Sequence, residues 1–556
     1  MLSCLWIAQD GVKHQLMILR LVMVLLTFVL ATPLIVIVSN LVDPNGEVLS
    51  HLIDTVLAEY LTNSFIIMIG VGLGTVILGV SAAWLTSMCQ FPGRSIFEWA
   101  LLLPMAIPAY IIAYSYTGLL DFAGPIQTFL RDTFNLSYGD YYFPEIRSLG
   151  GAISMLTLVL FPYVYLLARA AFINQSICVL DVSRTLGYGP FRTFKTVALP
   201  LARPAIIAGA SIAMMETLAD YGTVEYFGIA TFTTGILRTW YGLDSAVGAS
   251  QLASILLIFV FSLVFLEQYS RRHARYHHTS QRHQAIDRIP LLGKAKVSAI
   301  LFCSALVAFG FLIPAAQFLT WWISLGSEAI SSDYLQLITH SVELALISAL
   351  FILAVAVIFA YGKRLNKRAW MNPVMRISSL GYAMPGTVVA IGVLIPLTWF
   401  DNSLDSFMRE TFDISTGLLL SGSLAGLLFA YLIRFLTLSL QTVDSGLERI
   451  KHSMEEAAKT MGYGHREILT KIHLPILRGS LLTAILMVFV DVLKELPATL
   501  VLRPFDFNTL AVKAFELASD ERLMETAPYA LTIVAVGIVP VIFLSRSITK
   551  TRDVKS

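Results

Sequence analysis

The sequence predicts an all-α polytopic membrane protein with about twelve transmembrane helices in two tandem six-helix halves, and three observations predict it. The 556-residue chain is 56% hydrophobic and only 14% charged, with a mean hydropathy of +0.73; soluble domains carry about 25% charged residues. Its apolar residues gather in runs of roughly 20, the length that crosses a bilayer. A 24-residue stretch also recurs 275 residues further on without a gap. A net charge of +2 gives no electrostatic case for nucleic acid.

Taken in order, the first run, Met17 to Ser39, is too long for the roughly 7–15-residue core of a signal peptide and lacks a clear cleavage site, so it reads as a retained span. Five more runs lie near 63–87, 97–120, 150–173, 204–228 and 246–268. The second half repeats the series near 297–323, 338–361, 377–400, 416–440, 479–502 and 527–545, with charges interrupting the fifth and eleventh runs. The first half is therefore 1–270, a basic polar linker is 271–296, and the second half is 297–556.

Lysine and arginine set the orientation. With both termini in the cytoplasm, only seven of the 39 fall on outer loops: Arg131, Arg147, Arg238, Arg409, Arg503, Lys513 and Arg522. The outer loop Asn40–Leu61 holds four acids and neither Lys nor Arg. Cys4, Cys89, Cys178 and Cys303 are far apart, form no CxxC, and read as unpaired thiols. The linker's His273, His277, His278 and His283 fit a solvated basic segment better than a metal sensor.

The repeat pairs DVSRTLGYGPFRTFKTVALPLARP (Asp181–Pro204) with EAAKTMGYGHREILTKIHLPILRG (Glu456–Gly479). It aligns Gly187 with Gly462, Gly189 with Gly464, and Pro200 with Pro475. AIPA (Ala106–Ala109) matches AMPG (Ala383–Gly386) at a nearly equal offset. Each half has an even number of spans, so both point the same way and are expected to be related by a pseudo-two-fold axis along the membrane normal. Both copies fall on the cytoplasmic side between the fourth and fifth spans of their halves. Each reads as a short helix, a glycine bend, and a second helix leading into the membrane. Glycine permits the sharp bend, and proline suits a helix start better than its interior.

Charges also lie inside the spans. Glu216 and Asp220 stand one turn apart in the fifth run, aligned with Asp491 and Glu495 in the eleventh, where Lys494 joins them. A charge at the bilayer centre costs about 2.5–3.5 kcal/mol on insertion scales, so these groups should face the bundle interior or water. Two readings stay open: a carboxylate-lined path suited to a hard cation, and structural pairing, above all of Lys494 with Asp491 or Glu495. No metal site is assigned. The chain has no GxxxxGK[ST] loop for nucleotide phosphates and no HExxH or GxSxG signature, so no catalytic residue is assigned either.

Glu456-Ala457-Ala458, then Gly462, then Leu474-Pro475 resembles the EAA loop of bacterial ABC importer permeases. The first copy departs from it, with Asp181-Val182-Ser183 in place of Glu-Ala-Ala. The resemblance implies that both loops dock into an ATPase subunit, present in two copies, and that ATP is used by that partner while this chain binds no cofactor. It also implies a periplasmic substrate-binding protein and an inner-membrane location. The stretches ETLADYGTVEYFG (Glu216–Gly228) and DVLKELPATLVLRP (Asp491–Pro504) are similar to ferric-iron permeases, which implies Fe(III) import. Fused thiamine permeases share the layout and are the alternative. An ion-driven secondary transporter would explain the acids but not the duplicated loop.

Overall fold

A computed structural model describes residues 2–42, 47–137, 139–174, 189–272, 288–326, 332–366 and 368–553. Among these, the only strands are Cys89–Gln90 and Ile289–Pro290, which pair in parallel and tie the end of the linker to the end of the second span. Eleven of the described helices are long and apolar enough to cross a membrane. A twelfth span results when the bent pair Arg94–Ala106 and Ala109–Phe134 is taken as one.

The internal repeat extends to element boundaries. The second span, Leu57–Met88, and the eighth, Tyr334–Leu365, are both 32 residues long and start 277 residues apart. The fourth and tenth spans open at Leu149 and Leu424, 275 residues apart. Two five-residue π turns, Phe194–Ala198 and Leu469–His473, keep the same offset.

The third and ninth spans differ from the predicted runs 97–120 and 377–400. Each is broken at a proline. Pro108 (φ −58°, ψ 145°) and Pro385 (φ −55°, ψ 146°) are extended, and so are Ile107 and Met384 before them. The proline ring clashes with an α-helical conformation at the preceding residue. The first break turns the chain by 90°, and the ninth helix begins only at Gly386.

The fifth and eleventh spans, Phe191–Ala219 and His465–Leu493, start and stop earlier than the predicted 204–228 and 479–502. Pro200 and Pro475 each stand one leucine beyond a π turn. A proline inside a helix removes one hydrogen bond and crowds the carbonyl four residues back. The extra residue of a π turn makes room for it, so the helical run passes through the proline instead of starting there.

Packing divides the chain into two compact units that group the spans differently from the repeat. One comprises 1–46, 239–254 and 333–512; the other comprises 47–238, 255–332 and 513–556. In the first, the eighth, tenth and eleventh spans pack on one another and the first span lies against the ninth. Arg20 Nε donates to Asn366 Oδ1 at 2.7 Å, and Thr27 Oγ1 lies 2.9 Å from Ser378 Oγ. In the other, the second, fourth and fifth spans form the corresponding trio, and the seventh span, Gly293–Leu325, joins them. There Tyr116 Oη donates to the Phe309 carbonyl at 2.6 Å. Each half's opening span thus packs in the unit that holds the middle spans of the other half. Cys89 and Cys303 are buried free thiols.

Candidate functional site

The second copy of the repeated loop is described throughout. His452–Thr460 is a helix whose buried side carries Glu455 and Ala458, while Glu456 and Ala457 are exposed. The motif's three residues are therefore split between two faces. The helix stops at Gly462, whose φ of +87° lies in the left-handed region. Tyr463 N donates to the Ala458 carbonyl and Gly462 N to the Lys459 carbonyl, both at 3.0 Å. These two bonds form a complete Schellman motif. Glu467 then fixes the next turn, accepting from Gly464 N at 3.2 Å and from Lys471 Nζ at 2.9 Å. Pro475 follows the π turn.

In the first copy, Asp181 and Gly187 lie outside the described residues, as do the linker histidines. Gly189 and Pro200 are described and match the second copy: the Gly189 carbonyl accepts from Thr193 N at 2.9 Å, and Pro200 follows the π turn Phe194–Ala198.

Sequence reasoning missed what holds the second loop. Arg364, in the last turn of the eighth span, donates through Nη2 to the Ile450 carbonyl at 2.7 Å, through Nη1 to the Leu447 carbonyl, and through Nε to Glu455. His473 Nε2, in the π turn, lies 3.1 Å from the same carboxylate. Tyr361 Oη donates to the His465 carbonyl at 2.6 Å. Burial acts to raise the Glu455 pKa, but the Arg364 hydrogen bond and charge, helped by the two neighbouring histidines, outweigh it and hold it below its ordinary value. The stabilisation this carboxylate supplies is present above the unfolded pKa and lost only as pH falls through the lower folded one.

Of the four acids of the spans, Asp220, Glu495 and Asp491 have distinct surroundings. Asp220 lies one residue beyond the fifth helix, so it shares no helical face with Glu216. It accepts from Thr223 N and Val224 N, both at 3.1 Å, and from Thr223 Oγ1 at 3.0 Å, capping the short helix Gly222–Tyr226. Glu495 does the same for Pro497–Leu502, accepting from Ala498 N at 3.0 Å, Thr499 N at 2.9 Å and Thr499 Oγ1 at 2.7 Å. Asp491 pairs with Lys494 at 2.8 Å. Arg434, in the middle of the tenth span, stands 3.6 Å from Glu495 and was not singled out from sequence. Among the described residues, no three His, Cys, Asp or Glu side chains converge as metal ligands.

Residues 75–275 and 352–551 each match the model of the binding-protein-dependent transport system inner membrane component family. The chain belongs to this family. Its duplicated match makes it a permease with two family domains in one polypeptide. The permease is 26% identical over 505 residues to the Fe(3+)-transport system permease protein FbpB 2 of Haemophilus influenzae, covering 88% of this chain and 90% of that one. It is 20% identical over 527 residues to the ferric transport system permease protein FbpB of Actinobacillus pleuropneumoniae, covering 90% and 72%. The molybdenum transport system permease protein ModB of Escherichia coli is 28% identical over 190 residues, covering 34% of this chain and 80% of its own.

Proposed function

We propose that this permease is the membrane subunit of an ATP-driven importer that moves ferric iron from a periplasmic binding protein into the cytoplasm. The observation that carries the reading is the loop His452–Thr460. It is an exposed, glycine-ended helix joined through a π turn to a membrane span, and its second part repeats in the other half. A helix so placed suits docking to a separate ATPase, one copy per loop, since the chain carries no phosphate-binding loop of its own. Glu456, Ala457, Gly462, Gly464 and Pro475, with Asp181, Ala458, Gly187, Gly189 and Pro200, are the coupling residues. Both termini then lie in the cytoplasm. Relatives that span nearly the whole chain and carry ferric transport in their names support iron.

The test is radiolabelled ferric-iron uptake in cells lacking the chain and in the same cells complemented. Uptake that is lost and then restored is expected. Uptake unchanged in the deletion, with thiamine uptake lost instead, would keep the permease and remove iron.

Glu216, Asp220, Asp491 and Glu495 are assigned to the translocation path as carboxylates of hard-cation type. Asp220 and Glu495 serve it by fixing the helix breaks, while Glu216 and Asp491, the latter paired with Lys494, act on the solute. A chain with Glu216→Gln and Asp491→Asn is expected to lose several-fold more uptake than folded protein, measured per molecule of permease in the membrane. A loss in proportion to protein amount would assign both acids to structure.

A further inference from the structure

We propose that Arg364 is the positioning residue that carries motion of the loop helix His452–Thr460 into the membrane spans, with Glu455 as the inward anchor and Met454, Glu456, Ala457 and Met461 left to face the ATPase. The proposal rests on the coupling reading of that helix and adds how the push is transmitted.

One guanidinium and the carboxylate it holds join four pieces of chain. Arg364 belongs to the eighth span. Leu447, whose carbonyl it fills, lies in the last turn of the tenth span, and Ile450, whose carbonyl it also fills, lies two residues beyond that helix. Glu455 belongs to the loop helix and reaches His473, in the turn that opens the eleventh span. The eighth, tenth and eleventh spans of this unit therefore meet at the Arg364–Glu455 pair. The Arg364 side chain is 8% exposed and the Glu455 side chain 11%, so water competes little for the pair. Charge-assisted bonds of this kind are the strong ones, and a planar fork can serve several acceptors in fixed directions where lysine offers one point charge. Tyr361, one turn earlier, adds the bond to the His465 carbonyl and sets its ring edge against His473, with centroids 5.6 Å apart. The exposed face of the loop helix is a different set: Met454, Glu456, Ala457 and Met461.

The other half is built differently. At the 277-residue offset, Ser87 corresponds to Arg364 and Trp84 to Tyr361. Among the described residues, Ser87 Oγ donates to the Ala83 and Trp84 carbonyls of its own helix. Trp84 instead packs on Phe194 and Phe172, at 4.8 and 5.5 Å between centroids. In sequence, the first half carries Ser87, Leu180 and Ala198 at the positions of Arg364, Glu455 and His473, so the ionic members of the clasp occur in the second half alone.

The experiment uses the whole permease purified with its ATPase and reconstituted in liposomes. It measures solute moved per ATP hydrolysed, with radiolabelled ferric iron on its binding protein or the solute that the uptake assay identifies. Arg364→Ala should keep ATP hydrolysis within about twofold and cut the transport-to-hydrolysis ratio roughly tenfold, within the usual range of coupling between sites. Arg364→Lys should fall between it and the parent, and Ser87→Ala should change nothing. If Arg364→Ala does not fold, Tyr361→Phe, which removes one hydroxyl, should still lower the ratio. A ratio unchanged in Arg364→Lys and Tyr361→Phe, or transport and hydrolysis falling in proportion, would overturn the proposal. A Met461→Cys cross-link to the ATPase separates the two levels. Cross-linking with an unchanged ratio refutes the role of Arg364 alone, whereas no cross-link refutes the coupling reading beneath it.

Discussion

Replacing Gly462 with valine is expected to lower uptake roughly tenfold or more while leaving the amount of permease in the membrane near that of the parent. At a φ of +87°, a residue with a Cβ pays about 1–2 kcal/mol, and a branched one more. The chain can escape that cost by rotating Gly462 back to negative φ. Doing so breaks the bonds from Tyr463 N to the Ala458 carbonyl and from Gly462 N to the Lys459 carbonyl. The loop helix then loses its angle to the eleventh span. The loop lies outside the apolar core, so insertion should not suffer. Two controls separate conformation from bulk. Gly462→Asn should retain most activity, because asparagine tolerates the left-handed region. Gly479→Ala should be silent, because a Cβ there meets nothing within 4 Å. Equal loss in the valine and asparagine variants would show that the bend is not what matters.

Much of this architecture is legible in the sequence, for physical reasons. Hydropathy reveals the spans because a bilayer imposes its thickness on every one of them. The loop is legible because it occurs twice with its glycines and proline in register. The breaks were less visible. Pro108 and Pro385 were read only as marks of the repeat, yet each carries a local rule against helix that could have divided the third and ninth spans. The ends of the fifth and eleventh spans were misplaced because Asp220 and Glu495 were read as members of helices, when Asp220 lies one residue and Glu495 two residues beyond a helix end. The Arg364 clasp could not be read at all. It joins residues as much as 91 positions apart, and in the sequence Arg364 is one more cation at a basic membrane end.

Arg434 shows the same limit and leads to the second large effect. Glu495→Ala is expected to destabilise the permease far more than Asp220→Ala, although the two acids are aligned in the repeat. Each carboxylate caps a short helix, and losing a cap costs about 1 kcal/mol. Glu495 has a second duty. Its carboxylate stands 3.6 Å from Arg434 inside the tenth span, while the position corresponding to Arg434 in the first half is the buried Val159. Removing Glu495 leaves a guanidinium without its counter-charge, at about 3–5 kcal/mol for a broken buried pair. Net stabilities are about 5–15 kcal/mol, so that loss alone should lower the thermal midpoint of the detergent-solubilised permease well below that of Asp220→Ala. The neighbouring backbone is fitted to the pair: a Cβ at Gly386 would collide with Arg434 Nη1 and press on Glu495 Oε1, and the first half carries Ala109 there instead. Replacing both partners, Glu495→Ala with Arg434→Met, should recover most of the loss and leave only the cap deficit, because no charge is then stranded. A double variant no more stable than Glu495→Ala would mean that capping, not charge, is what Glu495 contributes.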